Sequence, residues 1–370
     1  MGTSLRSLAG GVIASVLLIA GIVAPVAHAQ VACHDREVTL TGSDEDDELT
    51  GTSGSDVIMA LGGNDVVKGL GGDDFVCAGD GVDRVLGGAG DDVLEGEAGD
   101  DADSGVISIN GQEFGLDLDG GVFGGPGNDV LTGGDGTDTV LGGDGRDTVV
   151  GDTEDDFLIG GAGADKVFGR SGGDYLRGGK GADRLDAGPV GGTLDGDEYA
   201  DGGSGNDRMI VRGDSTVRGG PGNDVVRAGN GSHFLEGGKG RDRITSGGGD
   251  DNIYGNQGAD LVKAGAGEDF VSGGGGNDVL AVGDADDNVY GDGGADQIVA
   301  GAGEDFLSGG GGNDVLSAGG DDDNAYGEAG ADRISAGAGE DFVDGGAGKD
   351  SARGGAGDDD CYGVERSRSC

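Results

Sequence analysis

The sequence predicts an all-β solenoid of stacked nine-residue units, and three observations carry that prediction. Aspartate returns every ninth residue through most of the 370-residue chain. The residue two places after it is almost always apolar. The glycines, 93 in all, fall at fixed places in a unit Gly-Gly-x-Gly-x-Asp-x-U-x, where U is apolar. GGAGDDVLE (87–95), GGPGNDVLT (124–132) and GGPGNDVVR (219–227) are clean copies. So small a unit buries its apolar residue only against neighbouring copies, which is the mark of a stacked repeat. Without the period, a formal charge of −49 over so little Leu, Ile, Val and Phe would read as disorder. With it, the glycines become turn positions that need left-handed backbone or close approach.

The units fall into blocks. Residues 42–104 hold seven, with Asp47, Asp56, Asp65, Asp74, Asp83, Asp92 and Asp101 at the sixth position. Residues 124–186 hold seven more, with Asp129, Asp138, Asp147, Asp156, Asp165, Asp174 and Asp183. Residues 202–210 hold one, with Asp207. Residues 219–362 hold sixteen: Asp224, Asp242, Asp251, Asp260, Asp269, Asp278, Asp287, Asp296, Asp305, Asp314, Asp323, Asp332, Asp341, Asp350 and Asp359, with His233 replacing one Asp. The eighth position fails to be apolar only at Asp103. A fixed apolar position between two variable ones describes a three-residue strand whose centre points inward.

The stretches between blocks carry their own signals. Residues 105–123 hold Asn110-Gly111 between two alternating runs, which predicts an inserted β-hairpin. Residues 187–201 are Gly-rich and acidic without a period and read as a surface loop. Residues 211–218 are one residue short of a unit, so 187–218 forms an irregular break around the unit at 202–210. The break contains Arg212-Gly213-Asp214, an adhesion-type tripeptide that a chain rich in these residues produces by chance. Residues 30–41 and 363–370 are expected to be terminal caps.

The first 29 residues differ. Arg6 precedes an apolar run from Gly11 to Val23, followed by Ala27-His28-Ala29, the pattern of a cleaved secretory signal. Its removal takes the charge from −49 to −50, because the segment holds Arg6 and no acid. The run is short for a membrane span, and the mature chain is expected to be secreted. Cys33, Cys77, Cys361 and Cys370 all lie beyond it, and an even count in a secreted chain suggests disulfides. Four cysteines admit three pairings. Cys33–Cys77 with Cys361–Cys370 is favoured, because each bond would tie down one end of the stack. No Cys-x-x-Cys spacing supports zinc.

The unit resembles the nonapeptide of the RTX family, the hemolysin-type calcium-binding repeats. The resemblance implies a parallel β-roll with two units per coil and calcium between stacked turns. Asp n and Asp n+18 would then share an edge at the strand spacing of ~4.8 Å. Two such carboxylates repel by about 3 kcal/mol at an effective dielectric near 20. Ca²⁺ reverses that sign: it takes six to eight oxygens in flexible geometry, whereas Mg²⁺ demands an octahedron. Pairing the aspartates this way gives on the order of twenty calcium sites, and folding is expected to accompany metal binding. His233 reads as the loss of one site.

On the implied roll, one outer face of the last block collects Phe234, Tyr254, Phe270, Tyr290, Phe306, Tyr326 and Phe342. Such a row suits sugar stacking or self-association. This gives an alternative reading as a calcium-stiffened adhesin or matrix protein binding extracellular or cell-wall glycan. No H-E-x-x-H motif points to an enzyme, and the charge disfavours nucleic acid.

Overall fold

The computed structural model describes residues 32–33, 36–98, 103–109, 112–117, 121–188 and 198–370. Among them the chain is all β, without a helix. Two parallel sheets run the length of a solenoid. One starts at Leu40–Thr41 and ends at Arg366–Arg368. The other starts at Glu48–Thr50 and ends at Asp360–Tyr362. A short third sheet links Gly311–Gly312, Ala329–Gly330 and Ala347–Gly348. Each strand pairs with the one eighteen residues on, as Ile58 does with Val76 and Leu280 with Ile298. Two nonapeptides therefore make one coil, and successive nonapeptides feed opposite sheets.

The burial pattern follows from the pleat. At each three-residue strand the centre points in and its neighbours out. Val76, Leu94, Leu131, Leu158, Ile244 and Leu280 are fully buried and belong to one continuous core that runs up the axis. Small residues at the first position of some units, among them Ala60, Ala78 and Ala264, widen it. Each buried Val or Leu contributes roughly 1.5–3 kcal/mol against leaving it exposed, so the stack is held by many small, equal increments.

The glycines at the second and fourth positions answer two demands. Gly79 has φ +111°, and a Cβ there would lie 1.8 Å from the Leu61 carbonyl oxygen. Gly181 has φ +130°, and a Cβ would lie 1.3 Å from the Gly163 oxygen. Both the left-handed backbone and the coil-to-coil approach exclude a side chain.

The stacking register locates the insertions. Arg84 pairs with Gly121, a step of 37 instead of 18, so nineteen extra residues leave the roll in one turn. Within them Asp103–Ile109 and Gln112–Asp117 pair antiparallel, with Ile109 opposite Gln112. The inserted hairpin is thus present, while its Asn110-Gly111 turn lies outside the described residues. Asp103, the one unit centre that is not apolar, belongs to this hairpin and not to the roll. Tyr175 pairs with Tyr199, a step of 24, and Glu198 with Ser215, a step of 17. The stretch 187–201, which shows no period in sequence, therefore contains a strand in register (Glu198–Ser204) behind a turn six residues longer than usual. Residues 211–218 likewise supply a strand, Ser215–Pro221, behind a turn one residue shorter. The roll runs through both.

Two disulfides bind the ends. Cys33 joins Cys77, packing beside Phe75, over whose ring Arg36 lies at 4.2 Å. Cys361, at an inward-facing eighth position, joins Cys370.

Candidate metal centre

Each ladder aspartate closes the turn before its strand, so the two turns of every coil build two edges. The first edge holds Asp47, Asp65 and Asp83, then Asp138, Asp156 and Asp174, then Asp251, Asp269, Asp287, Asp305, Asp323, Asp341 and Asp359. The second holds Asp56, Asp74, Asp92, Asp129, Asp147, Asp165, Asp183, Asp207, Asp224, Asp242, Asp260, Asp278, Asp296, Asp314, Asp332 and Asp350. Asp101 lies outside the described residues. Asp47 and Asp359, at the two ends of their edge, are half-buried; the others are buried, Asp83, Asp138, Asp147 and Asp314 completely.

The ladder is hydrogen-bonded in one direction. On the second edge the backbone N–H of each Asp before Asp350 donates to Oδ1 of the Asp one coil on, at 2.8 Å from Asp56 to Asp74 and 2.9 Å from Asp129 to Asp147. On the second edge this contact is unbroken from Asp56 to Asp350, and it crosses all three register irregularities: Asp92 to Asp129, Asp183 to Asp207 and Asp207 to Asp224 are each 2.8 Å. It ends on Glu365, whose Oε2 accepts from Asp350 N at 2.6 Å.

The second carboxylate oxygen tells a different story. Oδ2 of Asp65, Asp129, Asp147, Asp224, Asp260 and Asp314 is buried and meets no hydrogen-bond donor among the described residues. Around it lie further oxygens. At Gly69 the point where a Cβ would stand is 2.2 Å from Asp74 Oδ2 and 2.5 Å from the Gly87 carbonyl oxygen. At Gly124 the corresponding distances are 2.4 Å to Asp129 Oδ2 and 2.5 Å to Gly142 O. A buried carboxylate oxygen without a donor, set beside stacked carbonyls, is a hard, oxygen-only environment. Such a set fits calcium, and it offers neither thiolate nor imidazole for a softer ion.

The electrostatics agree. Burial is the largest cause that pushes Asp156 up to about 9 and Asp129, Asp174, Asp207 and Asp287 up to about 7. Neighbouring carboxylates add to the rise, and the backbone N–H on Oδ1 opposes it. Without a cation the ladder resists ionisation.

Sequence reasoning missed the residues that stand in for Asp. Glu198 and Ser215 occupy first-edge ladder places ahead of His233, as the pairings Glu198–Ser215 and Ser215–His233 establish. Ala187-Gly188 and Glu198-Tyr199-Ala200-Asp201 are the start and end of one unit split by an insertion, the signal that would have found Glu198. The hydroxyl donors at the ladder's start were also missed. Ser43 donates to Asp47 Oδ2 through N and Oγ (2.6 and 2.8 Å), and Thr52 to Asp56 Oδ2 through N and Oγ1 (2.6 and 2.9 Å).

The RTX calcium-binding nonapeptide repeat profile matches at 41–102, 122–185, 193–210 and 212–364, well over half of the sequence. The chain belongs to the RTX calcium-binding repeat family. It is a calcium-binding repeat protein of the parallel β-solenoid type. No match is found among curated proteins. Among solved structures it is similar to a hyperactive, Ca²⁺-dependent, β-helical antifreeze protein from an Antarctic bacterium, at 20% identity over 74% of this chain and 80% of that one, with a TM-score of 0.45.

The aromatic residues singled out in the RTX chain's last block do come together. Phe234, Tyr254, Phe270, Tyr290, Phe306, Tyr326 and Phe342 form one file with neighbouring ring centroids 5.3–5.5 Å apart. Tyr362 extends it at 5.4 Å. The same face carries a separate stack of Phe157, Tyr175 and Tyr199 at 4.6 and 4.7 Å. Arg212 of the adhesion-type tripeptide is engaged at the surface of the roll, with Nη1 2.7 Å from Asp186 Oδ1.

Proposed function

We propose that this RTX chain is an exported calcium-binding roll, without catalytic activity of its own, whose coils, with the ladder aspartates ionised, close only when Ca²⁺ bridges them. The observation that carries this reading is the file of buried Oδ2 atoms without a donor. A buried carboxylate oxygen left unpaired costs at least ~1–3 kcal/mol, and the penalty recurs at nearly every rung. That is about the size of the roughly 1.5–3 kcal/mol that each buried Val or Leu contributes, so the penalty cancels most of what the core supplies. Calcium held by ladder carboxylates and the adjoining Gly carbonyls removes the penalty and the mutual repulsion together, with on the order of twenty ions at one per pair of rungs. Folding and metal binding are then one event. Export rests on Arg6, the apolar run and Ala27-His28-Ala29, and the two disulfides suit an oxidising compartment. Circular dichroism of the secreted chain, titrated with Ca²⁺ from excess chelator, tests the coupling. At alkaline pH, where the ladder is ionised, the β signal is expected to appear only with Ca²⁺; a full signal in chelator under those conditions defeats the proposal.

The file of eight rings supports a second reading, a calcium-stiffened scaffold that holds extracellular or cell-wall glycan. Planar rings in a row, half-buried except the exposed Tyr362, present apolar faces with polar hydroxyls at their edges, the surface that sugar rings stack on. Replacing Phe270, Tyr290 and Phe306 with Ser is expected to weaken retention on cell-wall polysaccharide while calcium binding stays intact. Unchanged retention removes this reading and leaves the first untouched.

A further inference from the structure

The two edges of the roll are not equivalent. On the second edge the aspartate ladder passes without a gap through Asp183, Asp207, Asp224, Asp242 and Asp260. At the same height on the first edge, three successive coils present Glu198, Ser215 and His233 between Asp174 and Asp251. All three are buried, at 6%, 5% and 2% exposure.

In this stretch the chain supplies donors that most rungs lack. Glu198 Oε2 has Arg212 N and Ser215 Oγ each at 3.4 Å. The Arg212 guanidinium holds Asp186 Oδ1 at 2.7 Å and also donates to the Gly188 carbonyl. That carbonyl belongs to the lengthened turn that leads to Glu198. A carboxylate and a backbone carbonyl of one turn region thus meet a fixed positive charge belonging to the protein. One rung further, His233 N keeps the ladder contact to Asp251 Oδ1 at 2.8 Å, but its ring places an imidazole where a carboxylate belongs.

Asp251 itself is built like a beginning. Ser246 Oγ donates to its Oδ2 at 2.5 Å. The same device, a hydroxyl from the residue's own turn on Oδ2, appears at Asp47 with Ser43 and at Asp56 with Thr52, the first rungs of the two edges. A rung with no carboxylate neighbour before it needs a donor from the protein, because no shared cation can satisfy its free oxygen.

We propose that the first-edge calcium ladder stops at Asp174 and restarts at Asp251, and that the junction is metal-free, held by Arg212, Ser215 and His233 in place of calcium. The proposal rests on the calcium reading above and adds which rungs take the ion. The roll then carries one long calcium file through this region on the second edge and two separate files on the first.

Anomalous diffraction from crystals of the native secreted chain grown in Ca²⁺ reads the rungs one by one. Calcium peaks are expected between Asp183 and Asp260 on the second edge, and none on the first between Asp174 and Asp251. A calcium peak beside Ser215 or His233 overturns the proposal. No calcium on either edge sinks the parent reading instead. In solution, the Ser215→Asp/His233→Asp double variant restores the ladder and is expected to bind more Ca²⁺ per chain than the native protein by equilibrium dialysis. An unchanged count in a folded double variant overturns the proposal. Arg212→Gln is expected to leave the calcium count unchanged while lowering the thermal midpoint in saturating Ca²⁺. A lost ion in Arg212→Gln would place calcium at the junction after all.

Discussion

The Asp350 backbone N–H donates to Glu365 Oε2 at 2.6 Å, in the place where every earlier second-edge aspartate meets Oδ1 of the next Asp. Glu365 stands fifteen residues after Asp350 rather than eighteen, and its longer side chain makes up the shortened turn. The disulfide Cys361–Cys370 closes the loop that carries it. Glu365→Gln keeps an acceptor oxygen for Asp350 N and removes the charge. If Glu365 is the last carboxylate ligand of its edge, this variant binds about one Ca²⁺ fewer per chain, measured by equilibrium dialysis. An unchanged count would mean that Glu365 only caps the backbone.

Leu70 carries a removable cost. It sits at the second position of its unit with φ +81° and is 53% exposed, so it has left-handed backbone without burial in return. An L-residue held there costs roughly 1–2 kcal/mol relative to glycine, and the repeat places glycine at this position in most units. Leu70→Gly is therefore expected to raise stability by about 1 kcal/mol after glycine's greater unfolded-state freedom is subtracted. Urea denaturation in saturating Ca²⁺ checks it. By contrast, Leu158→Ala in the fully buried file between Val140 and Leu176 should cost about 2–5 kcal/mol.

The metal-free ladder should respond to acid in the unusual direction. Burial raises Asp129, Asp174 and Asp207 to about 7 in the folded chain. Unfolded aspartates titrate near 3.9. Between those values the folded state binds more protons, so its stability is complete below the unfolded pKa and is lost as pH rises through about 7. In chelator, β structure is expected to increase as pH falls from about 8 to about 4. With calcium present the sign reverses, because protons compete for the same oxygens and affinity falls with acid. Circular dichroism against pH with and without Ca²⁺ reads both slopes, and parallel slopes would contradict this account.

The ladder, the inward file and the hairpin were legible in the sequence because each is local and periodic. Asp at the sixth position and Val or Leu at the eighth repeat at fixed spacing, and spacing survives translation into coils. The disulfide pairing was legible for a related reason, since each pair lies at one end of the count. Glu198 and Ser215 were not legible, because six residues inserted into one turn and one lost from the next break the count without breaking the stack. What keeps them in register is the strand pairing of Tyr175 with Tyr199 and of Glu198 with Ser215, a contact between coils that no nine-residue window contains. Glu365 escaped for the same reason. The hydroxyl donors Ser43, Thr52 and Ser246 were hidden differently: their positions lie within the period, but their role depends on whether a carboxylate rung precedes them.

The disulfides should differ in what they hold. Cys33–Cys77 spans 44 residues and anchors the short Ala32–Cys33 and Arg36–Glu37 pair to the roll at a buried site. Cys361–Cys370 spans nine residues at an exposed end. Loop entropy makes the longer closure worth more, within a range of about 2–4 kcal/mol for such bonds. It also leaves the shorter one more accessible to thiols. Mild reduction in saturating Ca²⁺ is therefore expected to open Cys361–Cys370 first and to expose the last coil to carboxypeptidase, while the core stays resistant. Cys33→Ser/Cys77→Ser is expected to lower the urea midpoint more than Cys361→Ser/Cys370→Ser. The reverse order in the midpoints would show that the C-terminal loop, through Glu365 and the final rung, contributes more than chain closure alone accounts for.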